Sequence, residues 1–88
     1  MVTVYVIESL VDGVWYTGMA FDAIHRLAEH NAGKNIYTKG HRPWKIIYTE
    51  DQPDWKCARV REKYFKTAAG KNWIRKKLSG GDAGSLPA

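Results

Sequence analysis

The chain has 88 residues, a length that holds one domain with a limited hydrophobic core. Hydrophobic residues make up 44% of the sequence, with four Trp and five Tyr, and this content excludes a disordered chain. The formal net charge of +5 favours a polyanionic partner such as nucleic acid, although a basic surface can also serve solubility alone.

Cysteine content and hydropathy indicate the cellular compartment in which the protein is expected. The single cysteine, Cys57, cannot form an internal disulfide or a multi-thiolate metal site. No signal-like apolar stretch follows Met1, and no apolar run approaches the length of a membrane span. We therefore expect a cytoplasmic protein without a membrane partner, and we expect it to be a monomer.

The first two elements form a predicted β-hairpin. Alternating β-branched residues over 2–9 predict a strand with its valines on one face and Tyr5 on the other. An Asp-Gly turn signal follows, and residues 14–18 resume strand character. If the connecting loop holds an even number of residues, Tyr5 and Tyr16 share a face. A tight Asp-Gly turn would leave them offset along the strands, and a loop that starts earlier would bring them level.

The next element is a predicted helix that runs from Asp22 to about Asn31. Asp22 is a good N-cap, Phe21 suits a hydrophobic staple against the first turn, and Gly33 suits a left-handed C-terminal stop. We expect the core stripe of this helix to consist of Ile24, Leu27, Ala28 and Asn31.

The second half of the chain contributes a strand and two helices. Residues 32–43 are basic and loop-like, and residues 44–49 form a third strand rich in aromatic and β-branched residues. Asp54 N-caps a helix that carries Glu62 beside its apolar face. The expected members of that face are Cys57, Ala58, Tyr64, Phe65 and Ala68.

The chain ends in a short helix and a tail. Gly70 interrupts the helical pattern, a last helix spans 71–78, and a Gly- and Ser-containing tail over 79–88 is expected to be disordered. The order β-β-α-β-α-α predicts an α+β fold in one domain over 1–78. Its sheet would be small, three-stranded and mostly antiparallel, and flanked by helices.

Glu62 is the strongest single candidate for a residue that takes part in catalysis. One carboxylate, with water and a substrate phosphate, suffices to hold Mg²⁺ during phosphodiester cleavage. The alternative is an ordinary helix-surface glutamate that pairs with Lys66 or Arg59 at helical spacing. The residue types alone leave both interpretations open.

Arg26, His30 and Tyr16 are further candidates. Arg26 has the fork of donors that stabilises charge on a phosphate, and His30, one turn later, could position substrate or move a proton. Tyr16 could hold or deprotonate a water, a role for which a phenol needs positive charge nearby. The alternatives are helix amphipathicity for Arg26 and an ordinary strand aromatic for Tyr16. His25 and His41 have no such placement, and we expect both to be surface residues.

The basic residues are expected to contact a nucleic-acid backbone without reading its sequence. The candidates of the loop are Lys34, Lys39 and Arg42, and those of the last helix are Lys76 and Lys77.

Five short motifs in the same order and spacing resemble those of the GIY-YIG nuclease superfamily, over residues 2–78. The motifs are Thr3-Val4-Tyr5, Tyr16-Thr17-Gly18, Arg26-Leu27-Ala28-Glu29-His30-Asn31, Lys39-Gly40-His41-Arg42-Pro43-Trp44 and Arg61-Glu62-Lys63-Tyr64-Phe65-Lys66. Two departures are a missing glycine at the first motif and Met19, where members that excise damaged DNA carry lysine.

The resemblance implies a Mg²⁺- or Mn²⁺-dependent endonuclease built on a three-stranded sheet. It implies that Glu62 ligates the metal ion, Tyr16 acts as or assists the general base, and Arg26 stabilises the transition state. Tyr5 and His30 would orient water and phosphate, and Asn72 would stand in for a polar asparagine of the family's last helix.

Two hypotheses follow, from different functional classes. The first is a metal-dependent DNA endonuclease or nickase, with a role in DNA repair or recombination. The alternative is a non-catalytic nucleic-acid-binding module that retains the nuclease fold. A third interpretation, a basic adaptor for an acidic protein, has only the charge in its favour.

Overall fold

The computed structural model describes residues 1–80. Its elements are β1 (Val2–Ser9), β2 (Trp15–Ala20), α1 (Ala23–Asn31), α2 (Ile36–Lys39), β3 (Trp44–Gln52), α3 (Trp55–Phe65) and α4 (Ala68–Leu78). The tail expected over 79–88 lies outside the described residues from position 81 onward. Among the helices of residues 1–80, none has both the length and the apolar character needed to cross a membrane.

The sheet is antiparallel throughout, in the order β2-β1-β3, so the predicted α+β fold is confirmed. In the hairpin, Tyr5 is opposite Gly18 and Ile7 is opposite Tyr16. Residues that face each other across an antiparallel pair share a face, and so do residues two apart on one strand. Tyr5 and Tyr16 therefore lie on the same face, offset by two residues along the strands.

The central strand β1 separates two hydrophobic clusters. One face contributes Val2, Val4 and Val6, which pack with residues of α3 and α4 such as Phe65 and Ile74. The opposite face contributes Tyr5 and Ile7, and these pack with Ala20, Ala23 and Trp44. This is the division of faces that the alternation of β1 predicts, and it assigns Tyr5 to the α1 side of the sheet.

The predicted core stripe of α1 holds at Leu27 and is wrong at Ile24, Ala28 and Asn31, which are exposed. Ile24 is 70% exposed, and the buried residues of the helix are Ala23 and His30, with Leu27 partly buried. The helix is rotated because the surface that it covers holds the polar groups of Tyr5 and its neighbours. Asn31, expected in the core, instead uses its side-chain amide to bond the backbone N–H and C=O of Trp44, at 2.7 and 3.1 Å.

The ends of α1 and α3 follow the capping prediction. The Asp22 and Asp54 carboxylates accept the backbone N–H groups of His25 and Cys57, which confirms both N-caps. Phe21, expected to act as a hydrophobic staple, is 70% exposed, and its ring contacts the Trp55 ring edge-on with 4.9 Å between centroids. Gly33 has a φ of +80°, in the left-handed region that the C-terminal stop requires.

Two features of the second half differ from the prediction. The expected loop over 32–43 contains the four-residue helix α2, which Asn35 N-caps through the backbone N–H of Thr38. Gly70 does not end a helix but lies inside α4, which begins at Ala68 behind the N-cap Thr67. A methyl group at position 70 would overlap the carbonyl oxygen of Tyr64, so this glycine permits close contact between α3 and α4.

An ion-pair network fixes α3 on the sheet. The Arg61 guanidinium donates to both carboxylate oxygens of Glu50 on β3, at 2.6 and 3.1 Å, and Tyr48 donates to the same group at 2.7 Å. Burial raises the pKa of Glu50, but these hydrogen bonds together lower it below its usual value. Burial and the Glu50 carboxylate raise the pKa of Tyr48 to about 12. The network orients the helix that carries Glu62, the next residue.

Candidate functional site

Tyr5 forms the buried base of the candidate site. Its ring lies over Gly18, where an added Cβ would come within 2.5 Å of the Tyr5 hydroxyl oxygen, so the glycine of the second motif makes room for the tyrosine of the first. Burial raises the pKa of the Tyr5 hydroxyl, the contact with Arg26 lowers it in part, and the charges of Tyr16 and Glu62 add to the increase. Tyr5 therefore stays protonated at neutral pH.

His30 is buried between two hydroxyl groups. Its Nε2 lies 3.0 Å from the Tyr5 hydroxyl, and its Nδ1 lies 2.7 Å from the hydroxyl of Thr38 on α2. Burial and the nearby charge of Arg26 lower the pKa of His30 below 6.5, so its imidazole is neutral at neutral pH. Because a neutral imidazole donates through one nitrogen and accepts through the other, Tyr5 and Thr38 take opposite hydrogen-bonding roles.

Tyr16 lies beside this pair on the same face of the sheet. Its ring meets the His30 ring edge-on, with 5.1 Å between centroids, and approaches the Tyr37 ring at 5.7 Å. Tyr16 also lines a cleft, whereas Tyr5 is only 1% exposed. Of the two tyrosines, Tyr16 is thus the one that a substrate or a water can reach.

Arg26 connects the buried hydroxyl with the surface. Its Nη1 lies 3.0 Å from Glu29 Oε1, and its side chain is 44% exposed. The interaction with the Tyr5 hydroxyl raises the pKa of Arg26 above its already high value. Arg26 lines a cleft of ≈ 240 Å³ together with His30 and Lys34. A phosphate in that cleft would meet the cations of Arg26 and Lys34, beside the Glu29 carboxylate that pairs with Arg26.

Glu62 approaches the site from the opposite layer. Its side chain is only 14% exposed, and its Oε2 lies 3.3 Å from Lys66 Nζ. The ion pair that the alternative interpretation expected is therefore present, but the glutamate is not a freely solvated surface residue. Its charge contributes to the raised pKa of Tyr5, so Glu62 lies within electrostatic reach of the Tyr5 hydroxyl.

Two adjoining clefts, which we call the β2 groove, follow the edge strand β2. The first, of ≈ 330 Å³, is lined by Trp15, Tyr16, Thr17, Tyr37, Lys66 and Lys71. The second, of ≈ 350 Å³, is lined by Gly13, Val14, Trp15, Tyr37, Lys71 and Arg75. The groove therefore brings Tyr16 together with residues that the sequence did not single out.

The six residues expected to contact nucleic acid occupy different surroundings. Lys34 is the one that shares a described cleft with Arg26 and His30. Lys39 ends α2, the Arg42 guanidinium lies over Gly33, and Asn72 accepts a hydrogen bond from Arg75 at 2.9 Å. Lys76 and Lys77 lie in the last turn of α4, where Lys77 Nζ is 5.2 Å from the Trp73 ring centroid.

Sequence reasoning missed Tyr37, Thr38 and the cations of the β2 groove. Thr67 is a good N-cap residue three positions before Gly70, and it is the sequence signal that α4 begins before that glycine. Lys71 then belongs to α4 and lines this groove. His41, expected to have no specific placement, pairs through Nδ1 with Asp12 Oδ2 at 2.6 Å and joins the hairpin loop to the segment before β3. That contact lowers the pKa of Asp12.

Comparison with known proteins identifies the family. The GIY-YIG catalytic domain matches residues 1–77. A UPF0213 protein of Halobacterium salinarum is 45% identical over 62 residues, which cover 69% of this chain and 78% of that protein. A UPF0213 protein of Streptococcus sanguinis is 40% identical over 63 residues, which cover 70% of this chain and 71% of that protein. No solved structure matches the chain significantly. The resemblance read from the five motifs is thereby confirmed, and the chain belongs to the GIY-YIG catalytic-domain family of nucleases.

Proposed function

We propose that this protein is a metal-dependent DNA endonuclease or nickase that hydrolyses phosphodiester bonds and uses Mg²⁺ or Mn²⁺. The observation that carries the proposal is a convergence of groups from separate elements. Glu62 of α3 lies within electrostatic reach of Tyr5 on β1, and Tyr5 bonds His30 and contacts Arg26 on α1. Packing alone does not require an acid, an arginine, a histidine and two phenols at one place.

The donor set fits a hard divalent cation. Mg²⁺ is usually held through one or two carboxylates, with waters and substrate phosphates as its other ligands, and Glu62 supplies one carboxylate of low exposure. Within residues 1–80 there is no cluster of three His, Cys, Asp or Glu side chains, so a closed all-protein site of the zinc type is not formed. When bound, the cation would neutralise phosphate charge and favour the ionised form of a water.

The other side chains have roles that follow from their surroundings. Arg26 is always charged and partly exposed, so it can stabilise the negative charge that develops on the phosphate. Tyr16 is accessible, so it can hold or deprotonate the attacking water. Tyr5 and neutral His30 keep the site in one geometry through their hydrogen bond and help to orient water and phosphate.

The substrate is proposed to be DNA, which the net charge of +5 favours. The cations of the cleft beside Arg26 and of the β2 groove neutralise the backbone. We propose that the candidates named from the sequence contact the DNA backbone as well: Lys34, Lys39, Arg42, Asn72, Lys76 and Lys77. We further propose that the protein is a cytoplasmic monomer and that it acts in DNA repair or recombination.

One observation favours the second candidate function, a nucleic-acid-binding module without catalysis. The Lys66 ammonium group lies 3.3 Å from Glu62 Oε2 and competes with a cation for that carboxylate. In this case the same residues would retain the fold and the DNA affinity, and Glu62 would act only as an ion-pair partner.

The test is nicking of supercoiled plasmid with Mg²⁺ or Mn²⁺ by the wild-type protein and by Glu62→Gln. The substitution preserves size and helix propensity but replaces an anionic ligand by a neutral amide, which binds a hard cation poorly. Cleavage should be lost while the fold and DNA binding are kept. Asp51→Asn, an exposed change on β3 that removes the same charge, is the matched control and should cleave normally.

Two results would refute the proposed mechanism: equal cleavage by wild type and Glu62→Gln, or cleavage that persists in EDTA. If neither protein cleaves but both bind DNA, the binding module becomes the function.

A further inference from the structure

The β2 groove combines aromatic rings and cations in a way that the proposed cleavage chemistry does not require. Its two clefts, of ≈ 330 and ≈ 350 Å³, share Trp15, Tyr37 and Lys71, so they adjoin each other. The first cleft includes Tyr16, the accessible tyrosine of the candidate site. A polymer that is cut beside Tyr16 would extend into it.

The charge of the groove has one sign. Lys66 and Lys71 line its first cleft, Lys71 and Arg75 line its second, and among residues 1–80 no acidic residue lines either cleft. Lys66 also pairs with Glu62, whose Oε2 lies 3.3 Å from its Nζ. A row of cations along a groove fits a phosphodiester backbone. This electrostatic attraction alone does not distinguish a single strand from a duplex.

Tyr37 supplies the distinguishing feature. It lies on the four-residue helix α2 and is 61% exposed, although it is a large aromatic side chain. Its ring faces the Tyr16 ring at 5.7 Å and lines both clefts, so little of its surface serves the hydrophobic core. An exposed aromatic face beside a cationic groove is the arrangement on which successive bases of a single strand stack.

Trp15 contributes a second aromatic ring to the groove, and this residue is less exposed than Tyr37. Its Nε1 donates to Glu8 at 3.1 Å, and the Arg75 guanidinium lies 5.1 Å from its ring centroid. This contact places a cation and an aromatic face together within the second cleft, as in proteins that stack bases and bind phosphates along one strand.

We propose that the β2 groove binds an unpaired DNA strand, so that the substrate of the site is single-stranded DNA or an unpaired segment of a larger DNA. This inference rests on the proposed function for its choice of DNA. Paired bases are stacked on one another and cannot place a face on Tyr37, whereas the bases of a single strand can. The groove therefore selects the unpaired state, and its cations supply affinity without sequence preference.

The test measures binding in EDTA by fluorescence anisotropy, so that no cleavage occurs. The probes are a labelled 12-nucleotide DNA strand without self-complementarity, its duplex, an abasic strand of the same length, and the RNA strand of the same sequence. Wild type should bind the DNA strand roughly tenfold more tightly than the duplex or the abasic strand, because stacking on one ring is lost with both.

Variants of Tyr37 isolate the stacking contribution. Tyr37→Ala should weaken binding of the DNA strand roughly 5- to 150-fold, and should change binding of the duplex and the abasic strand less than about twofold. Tyr37→Phe keeps the ring and should bind as wild type does. Since Tyr37 is exposed, neither change should unfold the protein, and circular dichroism verifies this.

Three results would overturn the inference: equal affinity for strand and duplex, unchanged strand affinity in Tyr37→Ala, or tighter binding of the RNA strand. The experiment uses no divalent cation, so it is independent of cleavage. Selective strand binding without plasmid nicking would refute the nuclease proposal alone, and nicking without strand selectivity would refute this inference alone.

Discussion

Replacing Thr38 with valine removes one hydroxyl from a fully buried position and leaves the shape of the side chain nearly unchanged. The hydroxyl lies 2.7 Å from His30 Nδ1, and His30 itself is only 1% exposed. The variant therefore leaves a ring nitrogen without a partner where water does not reach it. Such an unsatisfied buried group costs about 1–3 kcal/mol of the free energy of unfolding. In a domain of this size, each kcal/mol lowers the Tm by about 4–8 °C.

Urea denaturation followed by circular dichroism measures this loss, with Thr49→Val as the control. Thr49 is exposed on β3, so the same chemical change there should alter the stability by less than about 0.5 kcal/mol. Histidine ¹⁵N shifts would report in parallel whether His30 changes tautomer. If Thr38→Val were as stable as Thr49→Val, the hydrogen-bonded chain from Tyr5 through His30 to Thr38 would not hold the site together.

Two further predictions concern the same cluster. Gly18→Ala should destabilise the protein by about 1–3 kcal/mol and disturb the Tyr5–His30 bond, because the new Cβ would lie 2.5 Å from the Tyr5 hydroxyl oxygen. Unchanged stability in urea would show that the ring has room to move. The free energy of unfolding should also fall as the pH falls below about 6.5, because His30 has a lowered pKa and the unfolded chain binds a proton that the folded chain does not. A Tm that stays flat from pH 7 to pH 5, or falls equally in His30→Gln, would contradict this.

Local chemistry made much of the fold predictable. The alternation over β1 assigned Tyr5 and the valines to opposite faces, and the carboxylates of Asp22 and Asp54 marked two helix starts within a residue. These signals act between neighbours in the chain. The same holds for Gly33, whose φ of +80° reflects the conformation that ends α1.

The positions that sequence reasoning missed depend on distant contacts. The core stripe of α1 was misplaced because it assumed that a buried helix face is apolar, and this face meets the polar group of Tyr5. The helix α2 has no hydrophobic signature, since Ile36 is 94% exposed and the buried residue is Thr38. Lys71 lines the β2 groove from α4, and the close packing of α4 on α3 depends on Gly70, where a Cβ would overlap the Tyr64 carbonyl oxygen.

The central strand β1 has a consequence for how the domain opens. Each of its two faces is buried in a different hydrophobic cluster, and each of its edges is hydrogen-bonded to another strand. Both layers of helices lose a shared packing partner once β1 leaves the sheet, so the two layers form one cooperative unit. The amide protons of β1 are therefore the ones that exchange only through global unfolding. A substitution far from Glu62 that lowers global stability also lowers the fraction of molecules in which Glu62 is held within electrostatic reach of Tyr5.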